Sequence, residues 1–460
     1  MTAPGRSAGR KAQKGFRLDL NLCTGCGACA VACAIENELD WGTSWRFIET
    51  FNPGHEPGLP HYHLSLACNH CADAPCMNHC PALAYHRDDL TGAVLLNPDQ
   101  CIGCKYCTWA CPYDAPRFDA RAGVVSKCTF CHHRQLEGLT PACVGQCPTG
   151  ALTFGDLDGL SGVTAVAGFP RSTAEPSIRF EALRAGTLAP VGHKDPEPPA
   201  PRARSTPLRG KTTLASEGPL VAFTLLAALA VGLFATPAGR GLFGVPTFLA
   251  LLILAGGAST LHLGRKTRAW RAVLNVRRSW LSREVALFSL FGALGTLSLA
   301  RSSPWAPAWL AGAVPRWLPT VAALVGFSLL FAVDRVYAVT RTRGLAFHSA
   351  RVLLTGVMVA GLGAGATWLW GVAAAAKAVS YGARVARGEA AGSGTWAAVR
   401  LGPGLAFPAG VLVAAPSTAL PPAVWAGCLV LLALGEIVDR CSFYLELDVP
   451  AGGVTRYSAS

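Results

Sequence analysis

Apolar residues are spread very unevenly along these 460 residues. From about 217 to 446 they run in long blocks of Ala, Leu, Val and Gly, whereas up to about 180 they alternate with polar positions over short stretches. A helix needs about 20 mostly apolar residues to cross a bilayer. Candidate spans fall at 219–238, 246–264, 284–300, 317–338, 352–375, 398–416 and 420–441. The segment 284–300 is short, 398–416 is broken by Pro403 and Pro408, and 376–396 offers a further partial span or an interfacial helix. The pattern predicts an all-α bundle of seven to eight spans, because backbone groups in lipid must be satisfied within each segment. The charges of this half fall at span ends, with Asp334 beside Arg335 and Glu436 four residues before Arg440 reading as ion pairs at helix termini. Composition therefore divides the sequence into a polar domain (1–180), a Pro-rich charged linker (181–216) and a polytopic membrane domain (217–460).

Cysteine changes the picture of the first domain. Sixteen of the eighteen fall in four blocks before residue 148. Cys23, Cys26, Cys29, Cys33 and Cys101, Cys104, Cys107, Cys111 read C-x2-C-x2-C-x3-C. Cys68, Cys71, Cys76, Cys80 read C-x2-C-x4-C-x3-C, and Cys128, Cys131, Cys143, Cys147 keep the same outer spacings around a longer central loop. Three thiolates two residues apart cannot all face one tetrahedral zinc, but each can take a corner of an iron–sulfur cubane. In the bacterial ferredoxin pattern the fourth cysteine, followed by proline, ligates the other cluster of a pair. Pro81, Pro112 and Pro148 follow three of the blocks, and Ala34 replaces the proline in the first. Zinc ribbons lack the interposed third cysteine. A disulfide framework needs an oxidising compartment, and MTAPGRSAGRKAQKGF carries no apolar stretch of the secretory kind. Four 4Fe–4S clusters are expected, in a loop-rich α+β ferredoxin-like domain. Cys428 and Cys441 read as small apolar side chains in or near a span.

A formal charge of +13 raises the question of nucleic acid. Four oxidised cubanes at roughly −2 each lower it to about +5, and the basic excess sits beside apolar segments, so a lipid bilayer and not nucleic acid is the partner expected. Loops on the N-terminal side carry Arg202 and Arg204, then the run from Arg265 to Arg283, then Arg341, Arg343 and Arg351. The opposite ends are poorer, and Trp305, Trp309 and Trp317 suit an outer aromatic belt. The positive-inside rule thus puts the cluster domain on the cytoplasmic side of the plasma membrane.

The four blocks, in this order and spacing, resemble the electron-transfer subunit of the dimethyl sulfoxide reductase family of molybdoenzymes. Residues 259–285, STLHLGRKTRAWRAVLNVRRSWLSREV, and more loosely GEIVDRCSFY at 435–444, resemble that family's membrane anchor, a separate polypeptide in relatives. The resemblance implies a natural fusion and crosswise ligation. Cys23, Cys26 and Cys29 share a cluster with Cys147, and Cys128, Cys131 and Cys143 with Cys33. Cys68, Cys71 and Cys76 are completed by Cys111, and Cys101, Cys104 and Cys107 by Cys80. It also implies menaquinol as the electron donor and a separate molybdopterin-containing catalytic subunit as the acceptor.

An ionisable residue at the edge of a span is a functional candidate. His262 closes the second span and Glu284 opens the third. Quinol oxidation releases protons with its electrons, so His262 is read as proton acceptor, Glu284 as relay and Arg265 as an electrostatic aid. The bland alternative pairs Glu284 with Arg283 or Arg278. His70, His79, His132 and His133 are either ordinary loop residues or donors to cluster sulfur. Rival functions are the anchor of a polysulfide or tetrathionate reductase, a quinone-reducing formate- or hydrogen-oxidising complex, and a transporter with a redox sensor. The second commonly holds haem between histidines of different helices. The membrane half offers only His262 and His348, so no haem is expected. The third needs charges near span centres.

Overall fold

The computed structural model describes residues 13–40, 42–55, 59–184, 214–242, 244–303, 307–339, 348–386, 394–414 and 421–446. Most of the linker, with Arg202 and Arg204, and Trp305, Arg341 and Arg343 lie outside these residues. Contacts divide the polypeptide into two units at residues 208 and 209.

The first unit is built from short elements: β1 (Lys14–Asp19), α1 (Ala28–Glu36), β2 (Phe47–Phe51), β3 (Tyr62–Leu66), α2 (Pro75–Asn78), β4 (Tyr85–Arg87), β5 (Val94–Leu96), α3 (Tyr106–Ala110), β6 (Arg117–Asp119), β7 (Val124–Ser126), α4 (His132–Leu136), α5 (Ala142–Gly145), β8 (Leu152–Asp156) and β9 (Ile178–Glu181). β1 lies between antiparallel β8 and parallel β9, and β2–β3, β4–β5 and β6–β7 are separate hairpins. Alternation drives Phe16 and Leu18 inward. Phe16, Phe130 and Phe154 meet edge to face or tilted, with ring centroids 5.1–5.3 Å apart. This apolar centre is small, so the cysteine-lined loops make up much of what the unit buries. The ferredoxin-like α+β expectation holds for this region.

The second unit is helical: α6 (Leu214–Phe234), α7 (Pro237–Leu242), α8 (Val245–Leu261), α9 (Trp280–Arg301), α10 (Ala308–Ala313), α11 (Leu318–Val336), α12 (Val352–Ala364), α13 (Thr367–Ala386), α14 (Gly394–Leu401), α15 (Phe407–Ala414) and α16 (Pro422–Glu446). Among the described residues four helical stretches are long and apolar enough to cross a membrane. They become five if α8 and the 3-10 segment Lys266–Val273, bent by 105°, count as one. The short segment at 284–300 is a helix of 22 residues, because Ser279 caps it one turn earlier. Pro403 and Pro408 do not break 398–416: a π-turn at Gly402–Ala406 absorbs the missing donor, and the stretch Trp396–Ala414 counts as a span. The expected single span at 352–375 is two helices, since Gly365 adopts φ 69° and ends α12 in a left-handed cap.

Two expectations about charge are overturned. Glu436 does not pair with Arg440. It sits midway along α16 and accepts from Lys377 Nζ at 2.7 and 2.8 Å and from Thr355 Oγ1 at 2.6 Å. Asp334 accepts from the N–H groups of Val352 and Leu353, capping α12, with Arg351 and Arg440 at 3.8 and 4.0 Å. Its sequence neighbour Arg335 lies over the Trp280 ring instead. Charges are thus held at helix centres as well as ends, because lipid forces a mid-helix ion to find its partner on another helix.

Candidate functional site

The loops that carry the cysteines share one backbone device. The residue before the second cysteine has positive φ in every block: Gly25 at 71°, His70 at 42°, Gly103 at 69° and Phe130 at 62°. That twist turns its N–H back on the first sulfur. Gly103 N–H donates to Cys101 Sγ and Phe130 N–H to Cys128 Sγ, both at 3.4 Å, and Gly25 N–H does the same for Cys23. At His70 and Phe130 the conformation costs about 1–3 kcal/mol each. Their rings stack on one another with centroids 3.6 Å apart.

The loops bring the cysteines together crosswise. Cys23, Cys26, Cys29 and Cys147 line one cavity. Cys68, Cys71, Cys76 and Cys111 line another. Cys33 lies within electrostatic range of Cys131 and Cys143, and Cys128 within that of Cys33 and Cys143. Cys107 is similarly close to Cys104, Cys101 and Cys80. Among the described residues no three His, Cys, Asp or Glu groups converge on a point that suits a single metal ion. Sulfurs spread around a cavity fit a polynuclear cluster, not zinc.

Burial pushes most of these thiols up, Cys33 to about 12 despite Arg46 nearby, and raises Cys76, Cys104, Cys107 and Cys128 as well. At Cys147 burial is outweighed by hydrogen bonds from Leu152 N–H and from Thr149, and the thiol falls below its ordinary value. Thiolate ligation must therefore draw on the charge of bound metal.

His70 accepts the Val94 N–H on Nδ1 at 2.9 Å, and burial with Lys127, Arg87 and Arg46 nearby holds it neutral. His79 Nδ1 bonds the Pro75 carbonyl at 2.9 Å, while His132 pairs with Asp88 and His133 with Glu36. Sequence reasoning missed three buried groups between the cysteines, Arg46, Lys127 and Tyr85. The one available signal was a lysine directly before a block cysteine.

In the second unit His262 ends α8 at the elbow of the 105° bend, half-buried, with Arg265 exposed beyond it. Glu284 stands near the start of α9 and is 5% exposed. Arg283 does not pair with it: its Nε donates to the Val276 carbonyl at 2.9 Å and its Nη2 to the Arg277 carbonyl at 2.6 Å. Among the described residues Glu284 has neither an ion pair nor a hydrogen bond to His262. The hydroxyls of Tyr337 and Tyr444, both buried in this unit, hydrogen-bond each other.

Residues 60–157 match the family model of 4Fe-4S dicluster domains, and residues 213–369 match that of the DMSO reductase anchor subunit (DmsC). The protein is similar to one of the chains of the anaerobic dimethyl sulfoxide reductase of Escherichia coli, 40% identical over 172 residues that cover 35% of this sequence and 83% of the relative. It is similar to one of the subunits of the sulfite dehydrogenase of Allochromatium vinosum, 37% identical over 161 residues, 30% and 67% of the two sequences. An arsenate respiratory reductase iron-sulfur subunit of a Shewanella species is 35% identical over 192 residues, 31% and 82%.

Proposed function

Because this polypeptide is a member of the dimethyl sulfoxide reductase family, with the iron–sulfur electron-transfer subunit and the membrane anchor subunit joined in one chain, we propose that it oxidises menaquinol in the bilayer and delivers the electrons to a separate molybdopterin-containing catalytic subunit. When bound, four 4Fe–4S clusters supply one-electron carriage through the first unit. They would be held by Cys23, Cys26, Cys29 and Cys147; by Cys128, Cys131, Cys143 and Cys33; by Cys68, Cys71, Cys76 and Cys111; and by Cys101, Cys104, Cys107 and Cys80. The observation that carries this reading is that Cys147 lines the cavity of the first block and Cys111 that of the second, so that distant motifs complete one another.

Quinol oxidation gives up two electrons and two protons, and the protein must receive the protons where quinol binds. His262 at the elbow accepts one from the quinol hydroxyl. Glu284, a buried carboxyl with no ion-pair partner among the described residues, takes it onward, and exposed Arg265 favours the developing quinolate. Within the bilayer α12, α13 and α16 join the apolar spans to give seven or eight crossings, and the basic loops put the first unit on the cytoplasmic side of the plasma membrane.

The test uses the anaerobically purified complex. Iron should approach about sixteen per polypeptide. His262→Leu and Glu284→Gln should slow menaquinol-driven reduction by about 100-fold or more while dithionite still reduces the iron. Unaltered quinol oxidation in both variants refutes the site. The similarity to a sulfite dehydrogenase subunit supports a second reading, in which electrons run toward quinone. The sign of turnover with quinol against quinone separates the two.

A further inference from the structure

Two fully buried cations in the first unit have no carboxylate partner among the described residues. Arg46, 1% exposed, stands just before β2. Its Nη1 donates to Ser65 Oγ at 2.9 Å and to the Ser65 carbonyl at 3.2 Å, and its guanidinium lies over the Phe16 ring, while Nε and Nη2 find no oxygen or nitrogen acceptor among the described residues. Lys127, 3% exposed, donates to the carbonyls of Val94 and Cys128. A buried unpaired charge is strongly destabilising, so each needs a compensating anion. The groups that supply one are thiols: Cys29, Cys33, Cys128 and Cys143 around Arg46, and Cys68, Cys76 and Cys128 around Lys127.

These neighbours belong to different tetrads. Arg46 stands between the Cys23/Cys26/Cys29/Cys147 tetrad (I) and the Cys33/Cys128/Cys131/Cys143 tetrad (II). Lys127 stands between II and the Cys68/Cys71/Cys76/Cys111 tetrad (III). The corresponding place between III and the Cys80/Cys101/Cys104/Cys107 tetrad (IV) is taken by a neutral group, the Tyr85 hydroxyl, which faces Cys107, Cys80 and Cys76.

We propose that Arg46 and Lys127 are fixed charges that set the reduction potentials of the tetrads they separate, Arg46 raising I and II and Lys127 raising II and III, with IV outside the reach of both. The inference rests on the four-cluster reading of the proposed function. Reduction adds one electron to a group that is already anionic, and a cation held a few ångströms away in a low-dielectric interior favours the reduced form. Arg46 also touches tetrad I through Ser65, whose hydroxyl lies 3.2 Å from Cys29 Sγ.

The experiment is an anaerobic redox titration of the full-length protein, followed by electron paramagnetic resonance, on wild type, Arg46→Met, Lys127→Met and the conservative Arg46→Lys and Lys127→Arg. The wild type should give four one-electron waves; fewer waves together with low iron content would sink the four-cluster reading, and the inference with it. With four waves present, Arg46→Met should lower two potentials and Lys127→Met two, one shared, each by a tenfold change in the reduction equilibrium, about 59 mV. One wave should move in neither variant, and the conservative variants should restore wild-type values. Waves that stay in place, or four that move together, overturn the proposal while leaving the four-cluster reading intact. Loss of a cluster in both the methionine and the conservative variants overturns it too, showing a role in assembly and not in potential.

Discussion

Replacing Lys377 with methionine removes the ammonium at the centre of the second unit while keeping the length of the side chain. Lys377 is 1% exposed and Glu436 5%, with Nζ 2.7 Å from one carboxylate oxygen and 2.8 Å from the other. Nζ also donates to Thr355 Oγ1 at 3.1 Å and lies 3.8 Å from Asp439. Asp439 keeps Arg400 at 2.7 Å and Ser349 at 3.1 Å, so Glu436 bears the loss, left with Thr355 alone. Coulomb attraction at this separation is ~6 kcal/mol for an effective dielectric constant of 20. Protonation of Glu436 limits the damage, and broken buried pairs cost about 3–5 kcal/mol. For a unit of this size that lowers the unfolding midpoint by roughly 6–20 °C. Adding Glu436→Gln removes the orphaned charge and keeps an acceptor for Thr355, so the double variant should recover most of the loss. Tryptophan fluorescence during heating of the detergent-solubilised full-length protein measures both. A single variant as stable as wild type, or a double variant no better than the single, would refute the reasoning.

Other expectations follow from local geometry. Gly25→Ala places a Cβ 2.8 Å from the His63 ring at φ 71°, and should deplete the protein of about one cluster's iron while leaving the other three, as read by iron content and paramagnetic resonance. Gly435→Leu should separate α16 from the π-turn, because its Cβ would lie 2.7 Å from Gly404 Cα, backbone that cannot rotate away; protease resistance of the second unit should fall. Anaerobic chelation of iron should unfold the first unit and leave the second helical, seen in circular dichroism as loss of the strands and short helices of residues 14–181 while the signal of the long helices persists.

The cysteine chemistry was legible because it is local. A two-residue spacing fixes which sulfurs share a loop, and the prolines after the blocks mark where the backbone leaves it. Helices were legible as long apolar runs but their caps were not: Ser279 starts α9 one turn before the run at 284–300. Three things were hidden for physical reasons. Hydropathy treats a charge as the end of a span, so it placed Lys377 outside one and assigned Glu436 a neighbour on its own helix. A sequence cannot show that an apolar stretch turns at Gly365, because Gly occurs at high frequency on both sides of it. Arg46, thirteen residues past Cys33, and Tyr85, five past Cys80, are single residues outside the blocks' spacing, and Arg46 stands just before the hairpin β2–β3 while Tyr85 starts the hairpin β4–β5. Glu284 was found by its position, but the meeting of Tyr337 with Tyr444, 107 residues apart, left no sign in the sequence.

The place of β1 between β8 and β9 bears on how the protein is made. The first strand to leave the ribosome has no partner until residues 152–156 follow it, and its sheet is complete only after residue 181. At about 5–20 residues per second, Cys23 to Cys33 wait roughly 6–23 s for Cys147 to be synthesised. Under the proposed ligation the segment from Cys68 to Cys111 supplies every cysteine of the two inner tetrads by itself, although His70 and Val94 within it wait for Phe130 and Lys127. Translation therefore favours metal loading from the middle outward, with the earliest thiols the last to be sheltered and the most open to oxidation in a cell that meets oxygen.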